Sequence, residues 1–311
     1  MPASTPFFCA AVADRRGDPL AGTAPRGTTW VLIEYRAAWP VNGFDGIDLD
    51  RAVHDEVFAA ARALRARILL VRRYGRRRPG GSGQWAVLHR TTSGRSRQRW
   101  GVWTRDTDLE QIARTLRAIA EAEDGEVAPL GDDDRPSVVL VCAHGQHDVC
   151  CSVRGRPVAE ALNSTWPERL WECTHVGGDR FAPNVLVLPD GVAYGRLTPR
   201  TACATIEQHL AGRISADHLR GYTDLVPVAQ AAIAGLLASF GPAGRDDYAI
   251  VSMDRGAESW RLRVRGPRPE PGLYDIEVAA VQAPARRLTC RGTEPATALE
   301  CTVKAIARAS G

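Results

Sequence analysis

Along the first part of the chain, short apolar runs alternate with stretches in which apolar residues recur every three or four positions. Short continuous runs are typical of buried strands, and the longer repeat is typical of helices packed on a sheet. An acidic, loop-forming stretch at 123–136 then interrupts the pattern and indicates a boundary. We therefore predict an N-terminal α/β domain over residues 1–125. Its predicted strands are 28–34, 67–72, 84–90 and 98–104, and its helices are 50–66 and 109–119.

A second unit, predicted over residues 136–212, begins with another apolar run and closes with a helix. Its elements follow in the order strand, loop, helix, strand, loop, two hairpin strands, helix. Alternating strands and helices are typical of an α/β sheet. The predicted strands are 137–141, 169–174, 184–188 and 192–197, and the helices are 156–163 and 198–210.

Residues 213–311 are predicted to form a helical linker and a small C-terminal α+β domain. The fold class is thus α/β, with a central unit between an N-terminal α/β unit and this smaller one. The linker helix is expected over 215–240, strands at 247–254, 259–265, 273–280 and 286–291, and a closing helix at 294–309.

Composition narrows the class of protein. The 311 residues suit two or three domains, and 44% hydrophobic with 24% charged residues is ordinary for a globular chain. A net charge of +4 gives no case for nucleic-acid binding. We see no apolar run of about 18 residues and no signal-peptide pattern, so we expect no membrane partner and a cytoplasmic location. There, cysteines are expected as thiols or metal ligands rather than as disulfides.

Soft metal ligands are concentrated in one part of the second unit. Two loops that follow predicted strands contain most of them, and strand ends of an α/β sheet gather at one edge, where ligands bind. Gly145 and the pair Gly177-Gly178 would allow the backbone to approach a bound group closely. The residues are Cys142, Cys150, Cys151 and Cys173, of eight cysteines in the chain, and His144, His147 and His175, of seven histidines.

Other interpretations of these residues are a zinc site and a thiol–disulfide enzyme. Zinc sites usually contain a C-x2-C pair, and thiol–disulfide enzymes a C-x-x-C at a helix start; the sequence has neither. Cys150 and Cys151 are adjacent, so their side chains should diverge rather than bind one ion. Isolated cysteines are most often small buried hydrophobes. We interpret Cys9, Cys203, Cys290 and Cys301 in that way.

Three segments resemble the sucrase/ferredoxin-like family, which includes the fungal actin patch distribution protein. They are 141–151 (VCAHGQHDVCC), 155–158 (GRPV) and 174–184 (THVGGDRFAPN). Upstream, 19–25 and Trp30 also fit bacterial members. The resemblance covers about residues 5–230 and does not extend beyond about residue 245.

The resemblance implies a thioredoxin-like ferredoxin fold and a [2Fe–2S] cluster. Fungal members bind the cluster through two cysteines and two histidines. Carried over, the ligands are Cys142, Cys151 (with Asp148 matching the family's aspartate) and His175, and Asp179 occupies the second histidine position. Three explanations compete for the fourth ligand: Asp179 binds iron directly, Cys150 or Cys173 replaces it, or this branch has weakened the cluster. The softer thiolate favours a cysteine.

These features predict a [2Fe–2S] protein in single-electron transfer or redox sensing, an electron carrier rather than an enzyme with its own substrate. The alternative is a zinc-binding or thiol-based redox or structural protein without electron flux. We expect a redox partner protein, a reductase or acceptor. The basic segment from Arg72 to Arg78 is interpreted first as a solvated loop, and its alternative role is a docking surface for that partner. Sucrose hydrolysis would need two carboxylates flanking the sugar bond, and nothing marks such a pair.

Overall fold

The computed structural model of the chain describes residues 7–75, 81–122, 127–267 and 271–309. Within them, helices and strands alternate up to residue 240, and strands alone follow. The helices are α1 (Cys9–Arg16), α2 (Arg51–Ala63), α3 (Glu110–Glu121), α4 (Val149–Thr165), α5 (Pro199–Leu210) and α6 (Pro227–Phe240). The strands are β1 (Thr29–Glu34), β2 (Arg67–Arg72), β3 (Gly83–Arg90), β4 (Ser96–Trp103), β5 (Val138–Cys142), β6 (Leu170–Cys173), β7 (Val185–Leu188), β8 (Val192–Tyr194), β9 (Leu219–Tyr222), β10 (Ala249–Arg255), β11 (Trp260–Gly266), β12 (Gly272–Gln282) and β13 (Leu299–Arg308).

A single nine-stranded sheet carries the first two predicted units, in the order β4-β3-β1-β2-β6-β5-β7-β8-β9. In the N-terminal part, β1 and β2 pair in parallel and α2 connects them, while β3 and β4 add antiparallel strands. All six residues of β1 are buried, as expected for a strand covered on both faces. The mixed α/β fold class is confirmed.

The central unit has the thioredoxin topology. Strands β5 and β6 pair in parallel, and α4 connects them in the chain. Strand β7 pairs with β5 in the antiparallel direction, and β7 and β8 form a hairpin that α5 follows. Helix α4 begins at Val149, seven residues before the predicted start, because the Asp148 carboxylate caps it by accepting from the Cys150 amide. The thioredoxin-like expectation is therefore confirmed for this unit.

The two units join along β2 and β6. Val71 pairs with Cys173, and Arg72 with Glu172. The Arg72 Nε lies 2.8 Å from Glu172 Oε2, and both side chains are buried. One continuous sheet thus crosses the boundary placed at residues 125–136, and the division into separately folding domains stays a prediction.

The basic segment predicted to dock a partner is only partly available for that role. Arg72 belongs to β2 and is buried, so its inclusion in a solvated loop was wrong. The Arg73 guanidinium stacks on Trp171 at 3.7 Å and donates to the carbonyl of Glu168. Arg76, Arg77 and Arg78 lie outside the described residues.

The C-terminal unit is an antiparallel sheet in the order β10-β11-β12-β13, with α6 packed against it. The helix predicted at 294–309 is wrong, because this alanine-containing segment forms β13 and pairs with β12 instead. Residues 286–291 form no strand and contribute one bridge, from Arg286 to Ala296. Helical structure over 215–240 is limited to α6, since β9 pairs with β8 within that range.

Among the described residues, no helix is long and apolar enough to span a membrane.

Candidate metal centre

Cys142, Cys151 and His175 meet at one edge of the central sheet. Cys142 is the last residue of β5, Cys151 lies in the first turn of α4, and His175 follows β6. The Sγ atoms and an imidazole nitrogen all lie within 4.8 Å of one another. The structure thus brings together three of the residues predicted as ligands, from two loops separated by α4 and β6.

The first loop is held by close packing of α4 on β5. A Cβ at Gly155 would lie 2.2 Å from the Cys142 carbonyl oxygen, so only glycine lets the helix approach this closely. The Cys142 amide donates to the Asn184 carbonyl, and the Cys151 amide to the Asp148 carbonyl. These hydrogen bonds fix the backbones of Cys142 and Cys151 and thereby the positions of their sulfurs.

The second loop is anchored from the N-terminal unit. Thr174 exchanges hydrogen bonds with Leu70 of β2: its Oγ1 accepts from the Leu70 amide at 3.0 Å, and its own amide donates to the Leu70 carbonyl. His175 is therefore placed by a strand that lies outside the central unit. Loss of the contact between Thr174 and Leu70 would therefore change the position of His175.

A buried arginine supports the Gly177-Gly178 turn. Arg220 of β9 donates from Nη1 to the Gly177 carbonyl and to Asn184 Oδ1, both at 2.9 Å. Gly178 has φ +79°, and a Cβ there would meet the guanidinium at 2.3 Å. Sequence analysis missed Arg220, because nothing in its neighbourhood of the sequence marks it as part of this site.

Asp179 lies beside the three predicted ligands. Its Oδ1 accepts from the Cys151 thiol at 3.2 Å and is 2.8 Å from His175 Nδ1. The His175 Nδ1 thus has a carboxylate partner in the form of an ion pair, although the angles of this contact do not meet hydrogen-bond geometry. Asp179 therefore contacts two of the three predicted ligands at once.

His147 is a neighbour that sequence analysis did not assign a role. Its ring stacks on His175 with 3.8 Å between centroids, and its Nε2 lies 3.9 Å from Asp179 Oδ2. The concentration of histidines near Cys142 in the sequence indicates that His147 could belong to the site, but the family pattern assigns a ligand role only to His175.

Cys150 and Cys173 do not join the group. Cys150 points away from Cys151, toward Cys290, with 3.3 Å between their Sγ atoms. Cys173 is fully buried as the strand partner of Cys142 in β6 and lies outside the set of ligand atoms that converge within 4.8 Å. Asp179 also lies outside that set and instead converges within 4.8 Å with His147 and His175. Its direct contacts with Cys151 and His175 make it the candidate for a fourth donor.

The charges of the site favour a thiolate and an imidazolium. The neighbouring Cys151 thiol, followed by His175, lowers the pKa of Cys142 to about 5 against the effect of burial. Burial would lower the pKa of His175, but Asp179 and Cys142 outweigh it and raise it to about 9. Burial likewise opposes ionisation of Asp179, and His175 nevertheless holds its pKa below the usual range. At neutral pH the site presents two anions around one cation.

One side of the site faces a cavity of about 290 Å³. His144, His147 and His175 line it together with Phe44 and Phe58. His144 itself is buried and donates from Nε2 to the Pro40 carbonyl, 2.9 Å away. The imidazole edge of the site is thus the part nearest to solvent.

The chain is similar to a curated fungal protein, to a solved ferredoxin structure and to the profile of one protein family. The altered inheritance of mitochondria protein 32 of Meyerozyma guilliermondii is 29% identical over 126 residues, 37% of this chain and 43% of that protein. The chain thus spans less than half the length of this relative. A solved structure, a cysteine-to-serine variant of the thioredoxin-like [2Fe-2S] ferredoxin from Aquifex aeolicus, is 27% identical, with 25% of this chain and 89% of that one covered and a TM-score of 0.21. The profile of the sucrase/ferredoxin-like family matches residues 20–221, which include the whole candidate centre, and the chain belongs to this family.

Proposed function

We propose that this protein binds one [2Fe–2S] cluster through Cys142, Cys151 and His175, with Asp179 as the fourth ligand, and works in single-electron transfer or redox sensing. The observation that carries the proposal is the convergence of two thiols and an imidazole within 4.8 Å in a member of a ferredoxin-like family. When bound, a [2Fe–2S] cluster supplies a one-electron couple.

The residues present fit such a group. Thiolate sulfur and imidazole nitrogen are both established ligands of [2Fe–2S] iron. The two sulfurs and an imidazole nitrogen already lie within 4.8 Å of one another, and Gly178 lets the Arg220 guanidinium pack closely against the turn beside them. Cys142 already favours the thiolate that a metal requires.

Asp179 has two roles in this proposal. Its buried carboxylate contacts both Cys151 and His175, so it orients two of the donors as well as offering an oxygen. Carboxylate is a harder ligand than imidazole and suits iron less well. The neighbouring His147 is the second nitrogen within reach of the same carboxylate.

A position near the surface supports electron exchange with another protein. The imidazole edge, rather than the buried cysteines, borders the open cavity. A redox partner protein, either a reductase or an acceptor, is therefore proposed to approach from the side of His147 and His175. The part of the basic segment that includes Arg76 and Arg78 remains a predicted contact for it.

A thiol-based reaction is the second candidate, and the low pKa of Cys142 favours it. A thiolate stabilised by a neighbouring imidazolium is a common form of reactive cysteine. Against it, Cys142 is only 1% exposed, and a substrate would have to displace α4 or the His175 loop to reach the sulfur. Fast alkylation of Cys142 in folded, metal-free protein would support this alternative.

The test is anaerobic purification from cells supplied with iron, followed by assays of iron and acid-labile sulfide. A [2Fe–2S] centre predicts a one-to-one ratio with about two of each per chain. Cys203→Ser serves as the control, since Cys203 lies on α5, away from the site. Stoichiometric zinc without sulfide would reject the proposal.

A further inference from the structure

A second group of cysteines lies on the other side of the α4 N-terminus. Cys9 of α1, Cys150 of α4 and Cys290 of the segment between β12 and β13 converge on Asp148. Their Sγ atoms and a carboxylate oxygen all lie within 4.8 Å of one another. The participants come from both ends of the chain and from its middle, so this arrangement exists only in the folded protein.

Backbone amides hold the carboxylate in place. The Cys150 amide donates to Asp148 Oδ1 at 2.9 Å, and the Cys290 amide donates to Oδ2 at 2.7 Å. The Cys9 thiol lies 3.6 Å from both oxygens, and the Cys9 amide donates to the Cys290 sulfur at 3.3 Å. Asp148 is 1% exposed, so the oxygens face this group rather than water.

Simple core filling does not explain the arrangement. The Asp148 carboxylate caps α4 and is compensated by two amide donors, but capping does not explain why three thiols converge on it. The side chains of Cys9, Cys150 and Asp148 are all buried, and within the described residues no lysine or arginine forms an ion pair with Asp148. Three sulfurs and one carboxylate oxygen within 4.8 Å of one another form a donor set suited to a metal cation.

We propose that Cys9, Asp148, Cys150 and Cys290 hold a structural zinc ion. Three sulfurs and one oxygen supply the four donors of a closed tetrahedral site, and zinc accepts both kinds. Donors about 2.3 Å from zinc are about 3.8 Å apart in a tetrahedron. The observed 3.3 Å between Cys150 and Cys290 and 3.6 Å between Cys9 and Asp148 are close to that spacing.

Such an ion would join α1 and the C-terminal segment to the first turn of α4. Cys151 lies in that same turn, so the zinc would brace the loop that carries a ligand of the first centre. Cys290 is only half-buried, which gives the ion a path of entry. The site depends on no property of the first centre and is proposed independently of it.

The test measures zinc, iron and sulfide in the same anaerobic preparations of four proteins, grown with both metals: wild type, Cys290→Ser, Cys142→Ser and Cys203→Ser. We expect about one zinc per chain, as a four-ligand structural site requires, in all except Cys290→Ser, which should lose most of its zinc and keep its iron and sulfide. Loss of iron in Cys142→Ser reports on the first centre separately. Cys290 lies outside the strands, so Cys290→Ser should fold, and circular dichroism checks this.

A second measurement uses cobalt(II) as the probe. Added to zinc-free Cys142→Ser protein, it should give the thiolate-to-cobalt absorption of a tetrahedral site, and the additional change Cys9→Ser should weaken that band. Zinc that disappears in Cys142→Ser and persists in Cys290→Ser would overturn the proposal. Wild-type protein without zinc, or with Cys150 and Cys290 joined as a disulfide after anaerobic preparation, would overturn it as well.

Discussion

Two adjacent cysteines serve two different groups of residues. The Cys151 thiol donates to Asp179, whereas the Cys150 sulfur lies 3.3 Å from Cys290. Successive side chains of a helix point about 100° apart, so neighbours in sequence cannot both face one ion. The first group lies wholly within residues 20–221, which match the family, while Cys9 and Cys290 lie outside that range. The first turn of α4 thus contributes one cysteine to a group within the family match and the next cysteine in another direction to a group that extends beyond it.

The two groups also differ in charge and support. In the first, an imidazole and a carboxylate accompany two thiols, and Arg220 braces the loop beneath them. In the second, a carboxylate held by two amides accompanies three thiols. Cysteine and histidine donors occur in both iron–sulfur and zinc sites, so donor type does not separate the two groups. Iron–sulfur is proposed for the first group because that group lies within the family match, and zinc for the second because three sulfurs and one oxygen make a closed set of four donors.

The largest expected effect is loss of the cluster in Cys142→Ser. Replacing a thiolate with a hydroxyl removes a soft ligand that iron requires, so iron, sulfide and visible absorption should all fall to background. The same assays on Cys203→Ser should match wild type. Normal visible absorption of Cys142→Ser would show that Cys142 is not a ligand of the cluster.

Arg220→Met should strongly destabilise the protein. The change leaves the Gly177 carbonyl, Asn184 Oδ1 and the Thr23 carbonyl without their donor. At about 1–3 kcal/mol for each unsatisfied buried acceptor, the loss should be on the order of 4 kcal/mol. Chemical denaturation of metal-free protein measures it, with the exposed Arg213→Met as control. Equal stability of the two variants would show that Arg220 does not support this loop.

His175→Cys should lower the reduction potential and flatten its dependence on pH. Two imidazoles in place of thiolates raise the potential by several hundred millivolts, so losing one should lower it by on the order of 100 mV. A ligating imidazole also gains a proton more readily when the cluster is reduced, so the wild-type potential should fall as pH rises. Redox titrations from neutral to alkaline pH, with His54→Gln as control, measure both effects. Identical profiles for wild type and His175→Cys would remove His175 from the ligands.

The smallest effect concerns His144, which borders the first group without joining it. Burial lowers the pKa of His144 to about 4. The buried, neutral form of His144 therefore makes its full contribution to the free energy of unfolding above pH 6.5, the pKa of the free side chain. That contribution is lost as the pH falls toward 4. At 1.36 kcal/mol per pKa unit, the contribution is roughly 3 kcal/mol at most. His144→Gln should lose less stability than wild type between pH 6.5 and 4 in urea titrations, and parallel curves would contradict this.

Sequence patterns predicted the central unit well, because its signals are local. Buried strands such as β5 appear as continuous apolar runs, and the divergence of Cys150 and Cys151 follows from their adjacency alone. The segment that forms β13 was missed because its alanines favour a helix, and pairing with β12 overrides that preference. Whether such a segment forms a strand depends on the strand it pairs with, and that partner is not apparent from the sequence of the segment.

The second group was beyond sequence analysis for a related reason. Cys9 and Cys290 are 281 positions apart, and each looks like an isolated core cysteine. Only the docking of α1 and the C-terminal segment onto α4 brings them to Cys150. Arg220 was missed similarly, since β9 was predicted as helix and its side chain reaches the site only through the pairing with β8.

The most direct test of the account is metal analysis of Cys150→Ser and Cys151→Ser, the same substitution at adjacent positions. Both proteins are purified anaerobically from cells given iron and zinc, and iron, sulfide and zinc are counted per chain. We expect Cys151→Ser to lose iron and sulfide while keeping zinc, and Cys150→Ser to lose zinc while keeping iron and sulfide. Retention of the cluster in Cys151→Ser, or its loss in Cys150→Ser, would contradict the assignment of Cys151 to the iron–sulfur centre.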